Sequence, residues 1–194
     1  MTNLLILCRY FSPENKIGAV RPSKFAKYLA RSGKYNVTVV AAMPYGVQCK
    51  EHEITSEGVE IYRVNTGKSA SLLHFKKSGQ GASVSSQMSN APQKNNLKHF
   101  IISRLFRIRL WIEKNAMLSN AKKILKKNKK EFDVIFSTYN TEFGHDVANW
   151  YKNKHKKVKW IADFRDSVWL TNSTPEQVKK AKNLLKGLPR NVIF

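Results

Sequence analysis

The sequence predicts an α/β domain built on a doubly wound parallel sheet with helices on both faces. Four short apolar runs, Leu4–Cys8, Val37–Ala42, Val134–Ser137 and Val158–Ala162, have the composition of strands buried on both sides. Between them lie longer stretches whose apolar residues recur every three and four positions, the period of a helix. At 194 residues the chain is long enough for one such domain with a proper core and too short for a second full one.

Leu4-Leu5-Ile6-Leu7-Cys8 reads as a buried parallel strand. A polar stretch from Tyr10 to Pro22 follows, and then a helix marked by Phe25, Ala26, Leu29 and Ala30 that stops at Gly33. Pro22 is expected in the first turn of that helix, where its missing N–H costs nothing. A strand, a loop with one glycine and a helix together aim backbone N–H groups at an anion. Lys16, Gly18, Ala19 and Arg21 are therefore candidates for binding a phosphate. An ordinary βα loop reads the same way, because one glycine is a weak signal.

Asn36–Ala42 is the second strand, and the alternating Val59–Val64 is expected near a sheet edge, with Pro44 to Gly58 as loop. Ser69 to Asn96, rich in Ser, Gly, Gln and Asn, reads as a mobile surface loop. Leu97 to Lys130 is a long helical region in which Ile101, Leu105, Ile108 and Ile112 form a stripe expected to face the core. Phe100, Phe106, Leu110 and Trp111 lie off the stripe among Arg104, Arg107 and Arg109. This region reads as a helix with a solvated charged face, as an interfacial surface for anionic lipid, or as a face for another domain. Asp133–Thr138 is a central strand, and Thr141 is the expected cap of a helix running to Tyr151. Val158–Asp163 is a further strand ending on Asp163. Pro175-Glu176 opens a basic helix ending near Gly187, after Ser173 or Thr174 as cap, and Asn191–Phe194 is a last strand.

The formal net charge of +22 predicts attraction to polyanions: nucleic acid, anionic headgroups or phosphorylated ligands. Before Lys94 there are 12 basic and 5 acidic residues, and from Lys94 onward 23 and 8, so the second half carries most of the field. Cys8 and Cys49 give neither a disulfide framework nor a metal motif, which suits a reducing cytoplasm. The N-terminus lacks the pattern of a signal peptide, and no apolar run reaches the roughly 18 residues of a membrane span. Any membrane attachment is expected to be peripheral.

Asp163-Phe164-Arg165-Asp166 puts two carboxylates and a guanidinium beyond a strand end, on the edge that also holds Gly18. One acid is expected to brace the loop through Arg165, and the other, Asp166, to be free for a ligand. Thr138 and Tyr139 reach the same edge. His145 is expected to be structural or surface-exposed, and His52, His74, His99 and His155 have no ligand spacing. No metal-type cluster and no Asp-x-Asp element is present in the sequence.

Two patches resemble known proteins. Tyr10-Phe11-Ser12-Pro13-Glu14, with Gly18-Ala19-Val20-Arg21, Lys24-Phe25-Ala26 and Leu29, is similar to the opening of family 4 glycosyltransferases that build bacterial surface polysaccharides. Phe132–Thr138 and Trp160–Trp169, containing Asp163-Phe164-Arg165-Asp166, resemble that family's strand running into D-F-R-D-P-W. Ile17 stands for the first of the family's paired glycines and Ser167 for its proline, and the chain ends where a second domain is expected. The resemblance implies a Rossmann-like N-terminal domain of the two-domain GT-B fold, spanning residues 1–194. It further implies an acceptor-binding half of a retaining enzyme whose donor-binding domain is absent, and which is inactive alone unless another chain supplies that domain. A nucleotide-sugar is the expected co-substrate, with no metal or other cofactor, and a lipid-linked saccharide at the inner membrane face is the expected acceptor. On this view Arg165 and Asp166 act at the catalytic cleft, and Lys16, Gly18, Ala19 and Arg21 meet the donor diphosphate. Thr138, Tyr139 and Asp163 contact the acceptor, and Arg104, Arg107, Arg109 and Trp111 meet the membrane. A nucleic-acid-binding module is a second reading, carried by charge alone since no nucleic-acid motif is present. A non-catalytic scaffold for polysaccharide assembly is a third.

Overall fold

The computed structural model of the chain describes residues 1–44, 47–65, 96–139, 142–164 and 192–193. They form seven strands and three helices: β1 (Thr2–Cys8), α1 (Ile17–Arg31), β2 (Tyr35–Ala42), β3 (His52–Ile54), β4 (Glu60–Val64), α2 (Asn96–Asn128), β5 (Val134–Thr138), α3 (Phe143–Lys154), β6 (Lys159–Asp163) and β7 (Val192–Ile193). The strands make one sheet in the order β3-β4-β2-β1-β5-β6-β7. All neighbours are parallel except β3, which runs antiparallel to β4. With β3 set aside, the spatial order of the parallel strands is third, second, first, fourth, fifth, sixth, a topology compatible with a Rossmann-like fold.

The apolar runs become the centre of the sheet because both of their faces are covered. Leu4, Ile6, Cys8, Val37, Val39 and Ala41 pack on one side with Ala26 and Leu29 of α1. Leu5, Leu7, Val40, Ile135, Trp160 and Ala162 pack on the other with Met117, Ala121 and Leu125 of α2 and Val147 and Tyr151 of α3. Burial pushes the Cys8 thiol up to about 12, so this cysteine is a protonated core residue. Gly33 ends α1 at φ 68°, a conformation that glycine adopts without a Cβ clash.

The chain divides into two compact units, Met1–Asn65 with Met117–Phe194, and Thr66–Ala116. The sheet belongs to the first. In the second, the described residues are the first part of α2.

Four expectations are corrected. Pro44 to Gly58 is not all loop: it holds β3, which pairs outside β4, while Val59–Val64 lies near the sheet edge as expected, one strand in. What holds β3 there is Arg63, whose side chain is fully buried and donates to Glu53 Oε1 at 2.9 Å. Pro22 lies in the second turn of α1, because the helix starts at Ile17. That start also takes Gly18 and Ala19 out of the loop and into the first turn. The α2 stripe does not face a core along its length, since Leu105, Ile108 and Ile112 are exposed together with Leu110 and Trp111. The core contacts of α2 come instead from its last third, at Met117, Ala121 and Leu125. The expected loop from Ser69, the Thr141 cap and the helix from Pro175 lie outside the described residues.

At the start of β4, Glu60 ties three elements together. Its carboxylate accepts from Lys130 Nζ at 2.9 Å, Tyr62 Oη at 2.7 Å and Thr38 Oγ1 at 3.1 Å. Partial burial opposes its charge, but these hydrogen bonds and the Lys130 ammonium win and hold the carboxyl down at about 2. Its stabilising contribution is therefore complete above about 4.5 and disappears as pH falls through about 2. Glu60→Gln is expected to cost about 1–2 kcal/mol near neutrality, discounted for solvent screening, and almost nothing near the acid end. Urea unfolding of both proteins across that range measures the convergence.

Candidate functional site

The chain leaves β1 toward β2 and β4 on one side of the sheet, and leaves β5 toward β6 and β7 on the other. At such a reversal the loops beyond the strand C-termini part and leave a crevice, the usual ligand position in open parallel sheets. The ends of β1, β5 and β6 and the first turns of α1 and α3 meet there.

Lys16, in extended conformation, precedes α1, and its own side chain makes no capping hydrogen bond. The first turn of α1 holds no acidic residue, so the partial positive charge of its N-terminus is not offset within it. Lys16 itself is engaged: its ammonium lies 2.9 Å from Glu14 and 4.3 Å from the centre of the Tyr10 ring. Ala19 is buried, and its N–H donates to the Lys16 carbonyl at 2.8 Å. Phe11, buried beneath the guanidinium of Arg63, fixes the loop from below. Arg63 also donates to the Ser12 carbonyl.

Arg21 and Asp163 were assigned to different partners, one to a donor phosphate and one to an acceptor. In the structure they meet: Arg21 Nη2 lies 3.2 Å from Asp163 Oδ1. The second carboxylate oxygen, Asp163 Oδ2, is buried and has no hydrogen-bond partner among the described residues. The same holds for the hydroxyl of Thr138, which pairs with Asp163 in register across β5 and β6. Adjacent register partners in a parallel sheet present their side chains to the same face. The α1 face of the crevice thus carries a buried hydroxyl, a buried carboxylate oxygen and a half-exposed guanidinium. Two orphaned polar atoms on neighbouring strands of one face are costly unless a water or a ligand satisfies them.

On the opposite face sits a chain of hydrogen bonds that the sequence did not announce. Trp160 Nε1–H donates to Ser137 Oγ at 2.8 Å, and Ser137 Oγ lies 2.8 Å from His145 Nδ1. Indole nitrogen can only donate, so the serine hydroxyl accepts from it, and the same oxygen is hydrogen-bonded to Nδ1. The other ring nitrogen, Nε2, is buried without a hydrogen-bond partner among the described residues. The ring packs against Phe164 and Tyr139, with centroids 4.6 and 5.7 Å away. Tyr139, expected as an acceptor contact, therefore turns its ring into this aromatic cluster, while its N–H donates to the Asp163 carbonyl. Burial brings the His145 imidazole down to about 4. Between 6.5 and 4 the unfolded chain then binds more protons than the folded one, so this residue makes stability rise with pH. His145→Gln is expected to remove that slope, worth up to about 3 kcal/mol, as read by chemical denaturation on either side of the window.

Gly144 explains how α3 reaches the crevice. A Cβ at this position would stand 2.9 Å from the Leu7 carbonyl oxygen and 3.3 Å from that of Thr138. Only glycine lets the helix start against the ends of β1 and β5.

Arg165 and Asp166, the residues assigned to catalysis, lie outside the described residues. Of the residues expected to meet a membrane, Arg104 and Arg107 are exposed and Trp111 is 66% exposed, while Arg109 is partly buried. Among the described residues no group of three or more potential ligands can hold a metal ion, and no helix is long and apolar enough to cross a membrane. The chain matches no protein-family model and no curated protein.

Proposed function

We propose that residues 1–194 form the acceptor-binding half of a retaining glycosyltransferase of GT-B architecture. In this reading a sugar passes from a nucleotide-sugar to a lipid-linked saccharide used in surface polysaccharide. The observation that carries the proposal is the pair of orphaned oxygens, Thr138 Oγ1 and Asp163 Oδ2, beside Arg21 at the sheet's reversal point. A hydroxyl and a carboxylate held by a guanidinium suit a sugar hydroxyl, which needs both a donor and an acceptor. The N-terminus of α1, whose first turn holds no acidic residue, supports a diphosphate approaching the same crevice near Lys16. Arg165 and Asp166 follow Asp163 in sequence and are proposed to complete the cleft. The sugar and base of the donor belong to a second half, on the same or another chain. Catalysis is then positioning and charge stabilisation between the halves.

The exposed Arg104, Arg107 and Trp111, with Leu105, Ile108 and Leu110, support peripheral attachment to the anionic inner face of the plasma membrane. Joining residues 1–194 to a GT-B donor half is expected to give transfer of labelled sugar to a lipid-linked acceptor, and residues 1–194 alone to give none. Turnover of a nucleotide-sugar by residues 1–194 alone would contradict the division of labour. Changing Arg104 and Arg107 to Glu is expected to abolish co-sedimentation with anionic vesicles. Equal binding to neutral vesicles would count against the membrane face.

A further inference from the structure

Arg63 stands one residue before the end of β4, in register with Ala41 of β2, which in turn pairs with Cys8 of β1. The three positions form a row across the sheet on its α1 side, at the end where the crevice lies. Cys8 and Ala41 fill that row as buried apolar groups, whereas Arg63 brings a guanidinium into it at 2% exposure. Burying a charge is costly unless it is paired and fully hydrogen-bonded. Here the satisfaction is partial. Nη2 donates to Glu53 Oε1 at 2.9 Å and to the Ser12 carbonyl, while Nε and Nη1 are buried without a partner among the described residues. A methionine would fill the same layer at no such cost.

We infer that Arg63 is a positioning residue, which clamps the loop between β1 and α1 at the height where the start of α1 can meet a phosphate. Its side chain is fully buried, so it acts through the loop and touches no ligand. The clamp closes on Ser12. The carbonyl of that residue accepts from Arg63 of β4, and its N–H donates to Ser23 Oγ of α1 at 3.0 Å, so a single residue is tied to the sheet and to the helix at once. Phe11, buried with its ring centre 5.6 Å from the guanidinium carbon, supports the loop from below. From this fixed point the chain passes through a turn closed by the Glu14 N–H on the Phe11 carbonyl and reaches Lys16, whose carbonyl receives the Ala19 N–H that opens α1. A planar guanidinium holds acceptors on two elements in one geometry, which an ammonium on a flexible stem does not. Glu53 offsets the charge of Arg63, so what the residue supplies is placement and not field. The inference rests on the phosphate reading of the α1 N-terminus and adds what fixes that N-terminus in place.

Amide hydrogen exchange and calorimetric titration with inorganic pyrophosphate, both on the 194-residue protein, test the clamp and its consequence. Arg63→Met releases Ser12 from the sheet, and Ser23→Ala releases it from the helix with no change of charge. The reporters are the Glu14 and Ala19 amides, whose hydrogen bonds involve neither side chain. In each variant they are expected to exchange about tenfold or more faster, with the β1 amides unchanged. Pyrophosphate is expected to bind each variant about tenfold or more weakly than the parent. The Tm is expected to stay within about 3 °C, since methionine replaces a costly charge and Glu53, 32% exposed, can turn to water. Unchanged Glu14 and Ala19 exchange in both variants would overturn the clamp. Weaker pyrophosphate binding in Arg63→Met, with Ser23→Ala like the parent, would make Arg63 a source of charge and overturn its positioning role. Exchange that quickens equally in β1 would overturn it in favour of a general contribution to stability. Should Arg63→Met fail to fold, the same two readings on Ser23→Ala decide. A parent that binds no pyrophosphate refutes the phosphate reading, and the exchange rates then judge the clamp alone.

Discussion

Gly144→Ala is expected to lower the stability of the domain by about 2–3 kcal/mol, a drop in Tm of roughly 4–12 °C. The added carbon meets the Leu7 carbonyl oxygen at 2.9 Å, and backbone at the middle of a sheet cannot move aside as a side chain end does. The helix must retreat instead, and α3 carries Val147 and Tyr151 of the core and His145 of the buried chain. Gly144→Val, with a branched side chain, is expected to cost more and to leave part of the protein unfolded at ambient temperature. Thermal unfolding followed by circular dichroism reads both. An alanine variant that melts with the parent would show that α3 is not seated against β1 and β5 in this way.

The second large effect falls on function and separates two roles of the same residues. Thr138→Val deletes a buried hydroxyl that has no partner among the described residues, so the folded domain is expected to be unchanged or slightly more stable. Asp163→Asn weakens an ion pair in which the Arg21 guanidinium is half-exposed and the carboxylate largely buried, a change worth about 1 kcal/mol after screening. Neither substitution disturbs the core. If these oxygens hold a sugar hydroxyl, each loss removes a hydrogen bond from a desolvated site, worth about 1.5–3 kcal/mol where a charge takes part. That corresponds to roughly a ten- to hundredfold loss in kcat/KM for the acceptor. A structural role predicts the opposite pattern, lower stability with rates that follow it.

The sheet was legible because its signals are local. Four runs dense in Leu, Ile and Val, each followed by a polar break, predict parallel buried strands and became β1, β2, β5 and β6. Gly33 predicts the end of α1 for an equally local reason, its freedom at positive φ. What could not be read depends on contacts distant in sequence. β3 is short and polar, and it joins the sheet through Arg63 and Glu53. Pro22 was placed by its own preference, yet the turn closed by Ala19 on Lys16 starts the helix a turn earlier. The stripe on α2 has helical period, but a period tells which residues share a face and not whether that face is covered.

The candidate site was partly legible in the same sense. Asp163 at the end of a strand and Thr138 at the end of its neighbour follow from the strand assignments alone. That Arg21 answers Asp163 does not, because the two are 142 positions apart, the difference of their numbers. Nor does the Trp160–Ser137–His145 chain, in which a histidine lacking any motif is buried by a helix start that Gly144 alone permits. A glycine directly before a histidine at a predicted helix start was the only available hint.

The most direct test of the acceptor site is the initial rate of sugar transfer as a function of acceptor concentration. It is measured on residues 1–194 joined to a donor half, comparing the parent with Thr138→Val and Asp163→Asn, each checked for an unchanged Tm. The predicted result is a fall of roughly ten- to hundredfold in acceptor kcat/KM for both variants, with the KM for the nucleotide-sugar unchanged. Acceptor kcat/KM equal to the parent's in both variants, or a loss that falls on the nucleotide-sugar instead, would contradict it.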